Sequence, residues 1–493
     1  MTSLSVEALA RLPASVARPG YDLARVRVGI VHLGLGAFHR AHQAVYTDDV
    51  LAHEPRWGIL GVSMKTPRAT AALAAQQGLY TVLTKDAGSV SARVIGALRE
   101  TAFARDDESR LIHRIAHPDV DVVTLTVTEK GYCRGADGGL DFKHPDIVHD
   151  LAHAHSPHSA IGLIVAALDA RRLASGAPLN VVSCDNLPAN GRVLERLVGE
   201  LAARRNAGLS AWIASNVAFP MTMVDRIVPA TTPADEADVE ARLGLRDAAP
   251  VVAEPFAQWV IEQRFAAPMP DWGAAGATIV HDVEPFETMK LRMLNGSHST
   301  LAYLGFLAGH ATIAAAACDP VLRGFVERQM IDEIAPSLHA PPGVDTSDYA
   351  RALMQRFGNP ALPHRTTQVA MDGSQKLPQR WIATIRDNLA AGRSVRRLAL
   401  SVASWMRYAC GRDESGNAFD VADPLAGQFA AIAAANGGNP RGVARALFAI
   451  PSIFGDDLAS EARIVDPVVA ALSSLFEVGA LRTVERFENA ASR

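Results

Sequence analysis

Short apolar runs separated by helical patterns fill the first 283 residues of the chain. Continuous apolar and β-branched runs are typical of strands that are buried on both faces of a parallel sheet. Their alternation with helices predicts an α/β domain with a doubly wound parallel sheet. The predicted elements are the strands Val26–Leu33, Trp57–Met64, Val120–Thr128 and Leu179–Ser183, the helices Ala41–Leu51, Ile161–Leu173 and Gly191–Arg205, and a hairpin inserted in the sheet from Gly78–Lys85 and Ser91–Leu98.

From Glu284 onward the pattern becomes helical, with loops rich in proline and glycine. We therefore predict two domains, with the sheet in residues 1–283 and a mainly α-helical domain in residues 284–493. The most apolar stretch, Ser299–Cys318, contains His310 and several small residues, which favours a buried helix over a membrane span. Other predicted helices are Pro320–Ile334, Tyr349–Arg356, Arg380–Ala391, Val395–Cys410 and Asp466–Phe476.

Lys290, Asn295 and His298 interrupt the apolar pattern of one helical segment. The segment is 284–309, EPFETMKLRMLNGSHSTLAYLGFLAG. At about 100° per residue, Asn295 lies roughly 140° and His298 roughly 80° round the helix from Lys290. An amine held among Met and Leu side chains loses solvation, which lowers its pKa and makes it a usable proton acceptor. An amide can donate to a developing oxyanion. The alternative is a core helix whose lysine reaches out to solvent and whose amide is capped.

A glycine-containing turn follows the first predicted strand. Gly34 and Gly36 stand in the segment GLGAFHR, and Ala37 and Phe38 lead into a helical run. Free amides and the helix dipole at such a turn suit a pyrophosphate, so these four residues are candidates for binding a dinucleotide. The full fingerprint has a glycine where His39 stands, and a plain strand–turn–helix remains the alternative.

The residues near this turn bear on the choice between NAD and NADP. A dinucleotide site often has an acid at the end of the second strand, where it holds the ribose diol. Here that acid is missing, and Lys65 and Arg68 are close by. His39, Arg40 and His42 add positive charge beside the turn. We expect NAD as the cofactor, with NADP not excluded.

Polar residues also stand where predicted strands end, which is where ligands gather in open α/β sheets. Glu129 follows Val120–Thr128, and Asn186 follows Leu179–Ser183. Asp225 stands beside Arg226 in the segment VDRIVP, either as part of an ion pair or as a substrate-binding residue. In the helical domain, the polar loop from residue 364 to residue 380 carries the cations Arg365, Lys376 and Arg380.

Composition narrows the classes of partner. The chain has 493 residues, of which 49% are hydrophobic and 20% charged, and a formal net charge of −4, which implies no general attraction to nucleic acid. The N-terminus lacks the apolar core of a signal peptide. We expect a cytoplasmic protein without a membrane partner. The cysteines are widely spaced, with no CxxC motif, so they indicate neither a disulfide framework nor a zinc site; they are Cys133, Cys184, Cys318 and Cys410.

Histidines cluster between residues 149 and 158. A metal site is one interpretation of His149, His153, His155 and His158. Their spacing is irregular and no carboxylate shell stands out, so we favour a solvated loop and predict no metal site in the protein.

Six segments together resemble the mannitol dehydrogenase family of polyol-specific long-chain dehydrogenases. The resemblance runs from about residue 25 to past residue 410. Within the family, SHSTLAYLG and HRTTQVAMDGSQKLPQR are most similar to the fructuronate reductase, or D-mannonate oxidoreductase, branch. The six segments are GIVHLGLGAFHRAHQAVY, TVTEKGYC, SCDN, NVAFPMTMVDRIVP, PFETMKLRMLNGSHS and AMDGSQKLPQR.

This resemblance implies a Rossmann-type N-terminal domain, a helical C-terminal domain and a site between them that uses no catalytic metal. It implies that Lys290 is the general acid/base of a carbonyl reduction. Asn186 and Asn295 match the pair that polarises the carbonyl oxygen, and His298 matches a substrate-binding histidine.

The resemblance also assigns roles around the lysine. Glu287 and Glu129 match acids that serve proton passage, and Lys376 matches a cation that contacts the substrate. Gln368 stands where mannitol dehydrogenases have an arginine, which argues against a simple hexitol substrate.

The sequence thus favours an NAD(P)-dependent, metal-independent secondary-alcohol dehydrogenase. We expect it to interconvert a keto-hexuronate and an aldonate, with D-fructuronate and D-mannonate as the favoured pair. The expected partner is a small sugar acid or polyol, and the expected state is a monomer or weak homo-oligomer. Three alternatives stay open: a polyol 2-dehydrogenase for mannitol, arabinitol or sorbitol, a nucleotide-binding regulator without catalysis, and a Schiff-base lyase that uses Lys290.

Overall fold

A computed structural model describes residues 2–106, 108–135 and 137–491. The chain divides into two compact units, Met1–Glu284 and Pro285–Arg493. Every strand in the described ranges lies in the first unit. These strands are β1 (Val16–Ala17), β2 (Val28–Leu33), β3 (Gly58–Ser63), β4 (Tyr80–Lys85), β5 (Val90–Ile95), β6 (Leu98–Phe103), β7 (Val122–Leu125), β8 (Leu179–Ser183), β9 (Val217–Ala218), β10 (Thr222–Asp225), β11 (Val251–Ala253), β12 (Gln258–Glu262) and β13 (Thr278–Val280).

The main sheet of the first unit has six strands in the order β6-β3-β2-β7-β8-β9, and all neighbours are parallel. Val31 in β2 is aligned with Leu60 in β3 and with Val123 in β7. Every residue of β2, β3, β7 and β8 is buried, as expected for strands covered on both faces. The strand order reverses direction at β2, which is the arrangement predicted for a doubly wound sheet.

Helices of the first unit connect and cover these strands. The predicted helix Ala41–Leu51 forms over Gln43–Val50. A separate short helix, Ala37–Ala41, precedes it, and the chain breaks between them at His42, where φ is −127° and ψ is −90°. The helices are α1 (Ala37–Ala41), α2 (Gln43–Val50), α3 (Arg68–Ala75), α4 (Glu108–Ala116), α5 (Pro145–Ala152), α6 (Ala160–Ala174), α7 (Asn190–Arg205), α8 (Ala207–Asn216) and α9 (Pro233–Leu243). Short 3₁₀ turns lie at Leu9–Arg11, Leu23–Arg25, Pro55–Trp57 and Glu129–Tyr132.

The predicted hairpin forms, but not within the main sheet. β4 and β5 pair antiparallel and belong to a separate sheet with the order β1-β5-β4-β11. The prediction that the hairpin is inserted in the main sheet was therefore wrong. The edge position beside β3 is taken by β6, which begins at Leu98 directly after the hairpin. A third sheet has the order β10-β12-β13.

The second unit is helical and has a single large apolar core. At its centre, every residue of Arg397–Ala409 is buried. This confirms the fold class predicted for the second domain. Its α-helices are α10 (Glu284–Met289), α11 (Gly296–Leu307), α12 (Ile313–Cys318), α13 (Pro320–Arg328), α14 (Thr346–Phe357), α15 (Thr366–Ala370), α16 (Gly373–Leu377), α17 (Ala383–Ala390), α18 (Arg396–Ala409), α19 (Ala426–Asn436), α20 (Pro440–Phe448), α21 (Pro451–Phe454), α22 (Ala462–Val478) and α23 (Ala480–Ala491).

Three stretches of the second unit are wound as π-helix, in which the backbone hydrogen bonds span five residues instead of four. We call them the first, second and third π-turns; they are Lys290–Asn295, Gln329–Ile334 and Pro378–Ile382. The first π-turn packs against both of the others. Short 3₁₀ turns lie at Ala335–Ser337 and Leu458–Ser460. In the described part of the chain, no helix has both the length and the apolarity needed to cross a membrane.

Candidate active-site residues

The first π-turn carries two of the predicted catalytic residues at its ends. Between α10 and α11, the Gly296 N–H donates to the carbonyl oxygen of Leu291, five residues back. In a π-turn, residues five apart come close to one full turn, so Lys290 and Asn295 share one face of the helix. The sequence estimate of roughly 140° between them was therefore wrong. Both side chains are buried, with 7% and 8% of their surface exposed.

Lys290 has buried apolar neighbours on its own helix. Met289 and Met293 are both buried in the core of the second unit. Glu287 lies one turn earlier on α10 and is half-buried. Lys290 is thus removed from bulk water, as a proton-transferring amine requires.

The side-chain amide nitrogen of Asn295 is a hydrogen-bond donor that the described part of the fold leaves unsatisfied. Its Nδ2 is buried and has no hydrogen-bond partner among the residues that the structure describes. A buried donor without a partner costs about 1–3 kcal/mol, and functional sites are where such groups persist. An amide in this state is ready to donate to a substrate oxygen.

The third π-turn holds the first one in place. Arg380 Nη1 donates to the Asn295 carbonyl oxygen at 3.2 Å and to Ser299 Oγ at 2.7 Å. Trp381 Nε1 donates to the Gly296 carbonyl oxygen at 3.0 Å. These donors satisfy carbonyls that a π-turn displaces from the regular helical ladder. Burial lowers the pKa of Arg380 to about 10, so the guanidinium still carries its charge at neutral pH.

His298 lies on the first turn of α11. Its ring stacks on Phe357, with centroids 5.1 Å apart and planes 20° apart. Burial, followed by the nearby His364 and Arg380, holds the pKa of His298 well below its ordinary value. The ring is therefore neutral at physiological pH and can donate or accept a hydrogen bond.

The two cations predicted in the 364–380 loop have different settings. Lys376 is partly buried, and its Nζ donates to the carbonyl oxygens of Met371 at 2.5 Å and Val369 at 3.4 Å. Arg365 has an exposed side chain, and its backbone N–H donates to the side chain of Gln368 at 3.3 Å. Their substrate-binding roles stay predictions.

In the first unit, Asp185 joins the loops that follow β7 and β8. It accepts hydrogen bonds from the backbone N–H groups of Val127 at 3.0 Å and Thr128 at 2.8 Å, and from the Tyr132 hydroxyl at 2.8 Å. Sequence reasoning missed this role, although an Asp directly after a buried strand was the available signal. Asp185 fixes the loop ends from which Glu129 and Asn186 project.

Glu129 and Asn186 themselves are exposed at the carboxyl edge of the main sheet. Glu129 begins a 3₁₀ turn, and Asn186 follows the end of β8. Asp225 ends β10 and is buried, with 5% of its surface exposed. The neighbouring Arg226 donates to the backbone carbonyl oxygen of Glu254 at 2.9 and 3.0 Å.

In the glycine turn, a side chain at Gly34 would clash with the backbone, whereas a side chain at Gly36 would not. Gly34 has φ of +101°, and a Cβ there would lie 2.1 Å from the carbonyl oxygen of Thr126. Gly36 precedes α1 and is exposed; a Cβ there would meet only the Gly34 oxygen, at 3.8 Å. The turn thus presents an open backbone surface beside Ala37 and Phe38, as close approach of a pyrophosphate requires.

His39, which replaces the third glycine of the fingerprint, is not a source of positive charge. Its ring is buried and stacks on His32, with centroids 3.4 Å apart. Burial holds the pKa of His39 well below its ordinary value, so the ring is neutral. The prediction that His39 adds charge beside the turn was wrong, because the side chain packs inward. Arg40 is also buried, and it donates to the backbone carbonyl oxygens of Gly36 and Ala249.

The chain matches the models of two domains from one protein family. Residues 28–274 match the model of the mannitol dehydrogenase Rossmann domain, and residues 282–476 match that of the mannitol dehydrogenase C-terminal domain. The chain belongs to the mannitol dehydrogenase family. The predicted resemblance is thereby confirmed, and the protein is an oxidoreductase of this family.

The relatives of this mannitol dehydrogenase family member are named for two kinds of substrate, mannonate and mannitol. It is 48% identical to the D-mannonate oxidoreductase of Escherichia coli (strain K12), over 95% of this chain and 97% of that protein. It is 40% identical to the mannitol 2-dehydrogenase of Pyrenophora tritici-repentis (strain Pt-1C-BFP), over 96% of this chain and 84% of that protein. The solved Pseudomonas fluorescens mannitol 2-dehydrogenase, in a ternary complex with NAD and D-mannitol, matches with a TM-score of 0.87, 37% identity and coverage of 99% and 100%.

The histidine cluster of this family member forms a stack beside a second group of polar residues. His149 stacks on His158 and His153, with centroids 3.4 and 4.4 Å away. Nearby, ligand atoms of Cys133, His144 and Asp146 lie within 4.8 Å of one another. Burial raises the pKa of the Cys133 thiol to about 12, which opposes the thiolate that a metal would need.

We predict that chelators leave the activity of this enzyme unchanged. The predicted catalytic groups are an amine, two amides and an imidazole, and none of them needs a metal for carbonyl reduction. The measurement is turnover before and after prolonged dialysis against EDTA. Activity that is lost and then restored by zinc in the wild type, but not in Cys133→Ser, would instead establish a required metal at Cys133, His144 and Asp146.

Proposed function

We propose that this protein is an NAD-dependent reductase that interconverts a keto-hexuronate and its aldonate, with D-fructuronate and D-mannonate as the natural pair. The observation that carries the proposal is the 48% identity, over nearly the whole chain, to an enzyme named D-mannonate oxidoreductase. The cations Lys376 and Arg365 in one segment of the second unit support it, because an acidic sugar needs positive groups to offset the loss of water around its carboxylate.

In this proposal, each predicted site residue has a separate role in the reaction. Reduction places a hydride on the carbonyl carbon and a proton on its oxygen; a bound nicotinamide supplies the hydride. The Lys290 ammonium donates the proton, and the amides of Asn186 and Asn295 stabilise the negative charge that develops on the oxygen. His298 holds a substrate hydroxyl. In the oxidation direction the same lysine, as a neutral amine, accepts the proton.

Glu287 and Glu129 supply a path for that proton. Glu287 is half-buried one turn before Lys290, and Glu129 is exposed to solvent. A carboxylate can return a proton to the amine after each turnover, and an exposed carboxylate can exchange it with water. Asp225, buried at the end of β10, remains a substrate-binding candidate in this proposal.

Gly36→Val tests where the dinucleotide binds. Because a Cβ at this position has no close neighbour in the fold, the variant should fold normally. Its side chain would fill the space into which a pyrophosphate must approach, so we expect NADH affinity to fall by at least about tenfold. Fluorescence titration with NADH and with NADPH measures this loss and also settles the phosphate preference. Unchanged affinity in the folded variant would place the dinucleotide elsewhere.

We predict that the wild type prefers D-fructuronate over D-fructose by at least about tenfold in kcat/KM, since one charge-assisted contact is worth about 1.5–3 kcal/mol. Lys376→Met should narrow this preference. Arg380→Met should instead lower turnover of both substrates, because Arg380 holds the carbonyl of Asn295 and the hydroxyl of Ser299. Steady-state kinetics with D-fructuronate and D-fructose measures these changes in kcat/KM. Equal wild-type values, or a preference untouched by Lys376→Met, would contradict carboxylate recognition by this lysine.

A polyol 2-dehydrogenase is the second candidate function. The solved relative with a TM-score of 0.87 is a mannitol 2-dehydrogenase in a ternary complex with NAD and D-mannitol. Against it, Gln368 stands in place of the arginine expected from the mannitol dehydrogenase resemblance. Oxidation of mannitol, arabinitol or sorbitol at rates above that of D-mannonate would favour this candidate.

A further inference from the structure

His298 has a second histidine, His364, in contact with its ring. The ring of His364 lies edge-on to that of His298, with centroids 5.1 Å apart and planes 67° apart. After burial, the strongest influences on the pKa of His298 come from His364, Arg380, Arg356 and Lys376, and each of them lowers it. None of these neighbours is a carboxylate. A positive electrostatic environment of this kind favours an anion near His298.

The position of His364 is fixed by its backbone. Its carbonyl oxygen accepts a hydrogen bond from the Ile313 N–H at 2.9 Å, and the next residue, Arg365, forms a β-bridge with Thr312. Consecutive residues in extended backbone point to opposite sides. The exposure of the Arg365 side chain and the partial burial of His364 agree with this alternation.

His364 also has an unused polar atom. Its Nδ1 is buried and has no hydrogen-bond partner among the described residues. A buried ring nitrogen without a partner is costly, and a ligand oxygen that reaches it would remove that cost. The ring faces His298, which is itself a predicted substrate-binding residue.

We propose that His364 binds the carboxylate of the sugar acid and thereby sets the preference for a ketouronate over a ketose. The inference rests on the proposed function and adds to it a residue that recognises the substrate's charge. The imidazole supplies a directed N–H to the charged carboxylate oxygen. The hydroxymethyl group of a ketose at the same place gains no charge-assisted hydrogen bond, so the subsite discriminates between the two classes.

Dead-end complexes test this subsite without turnover. The dissociation constants of D-mannonate and D-mannitol are measured on the NADH-saturated protein, for the wild type and for His364→Ala, His364→Gln, Arg365→Met and His339→Ala. His364→Ala should weaken D-mannonate binding by about 10- to 100-fold and leave D-mannitol binding nearly unchanged. His364→Gln keeps a neutral donor and should recover part of the loss. His339→Ala is the matched control, since it removes an exposed histidine of the same unit for which no role is proposed, and it should bind both ligands like the wild type. Arg365→Met tests the alternative that Arg365 binds the carboxylate.

The outcomes separate this inference from the proposed function. A wild type that binds D-mannitol as tightly as D-mannonate, and does not reduce D-fructuronate, overturns both. A wild type that reduces D-fructuronate, with a mannonate preference that survives His364→Ala, overturns only the subsite. A preference that is lost in Arg365→Met and kept in His364→Ala moves the carboxylate to Arg365. Circular dichroism and NADH binding establish that each variant is folded.

Discussion

Replacing Lys290 by methionine is expected to lower kcat for D-fructuronate reduction by about 10²–10⁴-fold, the usual effect of losing a positioned acid/base. NADH affinity and thermal stability should stay close to wild type, because methionine keeps the packing of a buried, unbranched side chain. Stopped-flow measurement of NADH oxidation isolates the chemical step from product release. Ionisation of the lysine should give the wild-type pH–rate profile one of its limbs, and the profile of the variant should lack that limb.

Arg292→Met is the matched control for this experiment. It removes a cation from the same π-turn, but one whose guanidinium pairs with Asp387 at 2.6 Å and donates to Ser337 at 3.2 Å. We expect this variant to lose some stability and to keep its chemistry. Near-normal turnover in Lys290→Met would rule out the acid/base role. Trapping of a substrate adduct on Lys290 by borohydride would replace it with Schiff-base chemistry.

Replacing Asn295 by leucine is expected to lower kcat by about 10²–10³-fold, as removal of an oxyanion donor does in other enzymes. Its Nδ2 has no partner among the described residues, so the substitution breaks no hydrogen bond at that atom. Replacing an unsatisfied buried amide by an apolar group of the same shape is close to neutral for stability. The variant should therefore unfold at nearly the wild-type temperature. Calorimetry and single-turnover kinetics on the same preparation give both quantities.

Ser297→Ala controls for the loss of an unpartnered polar group as such. Ser297 is fully buried, and its Oγ likewise lacks a partner in the described chain. No catalytic role is proposed for it, so its variant should turn over like the wild type. If both variants lose activity equally, the amide of Asn295 has no special role and the defect comes from repacking of the helix.

The main sheet could be predicted from the sequence because its strands are continuous apolar runs with clear polar ends. β8 was predicted with the bounds Leu179–Ser183 that the structure has, since Asp185 and Asn186 follow it closely. The hairpin was predicted as a hairpin, but its sheet was not. Hydrophobic pattern specifies which residues are extended and buried, whereas the choice of partner strand depends on contacts distant in sequence.

The geometry around Lys290 could not be predicted in the same way. A π-turn inserts one residue into a helix whose apolar pattern continues on both sides, so a window analysis at 100° per residue reads through it. The residue types were correct, but their angular relation was not. Arg380 was predicted only as a loop cation, and its contact with the Asn295 carbonyl required the third π-turn to be in place.

His39 shows a similar limit in the first unit. A histidine after a glycine turn is a plausible phosphate neighbour in the sequence. In the structure it stacks on His32, whose ring nitrogens are engaged with Thr124 at 2.7 Å and Thr126 at 2.9 Å. Stacking on an internal histidine depends on the spacing between β2 and α1, which the local sequence does not encode.

We propose above all that this protein transfers a hydride between NADH and a ketouronate. The most direct measurement incubates the purified protein with D-fructuronate and NADH, follows NADH oxidation, and identifies the product by NMR. We predict that one D-mannonate is formed for each NADH oxidised, and that D-fructose is reduced at least about tenfold less efficiently. Rapid oxidation of NADH with D-fructose and none with D-fructuronate would contradict it.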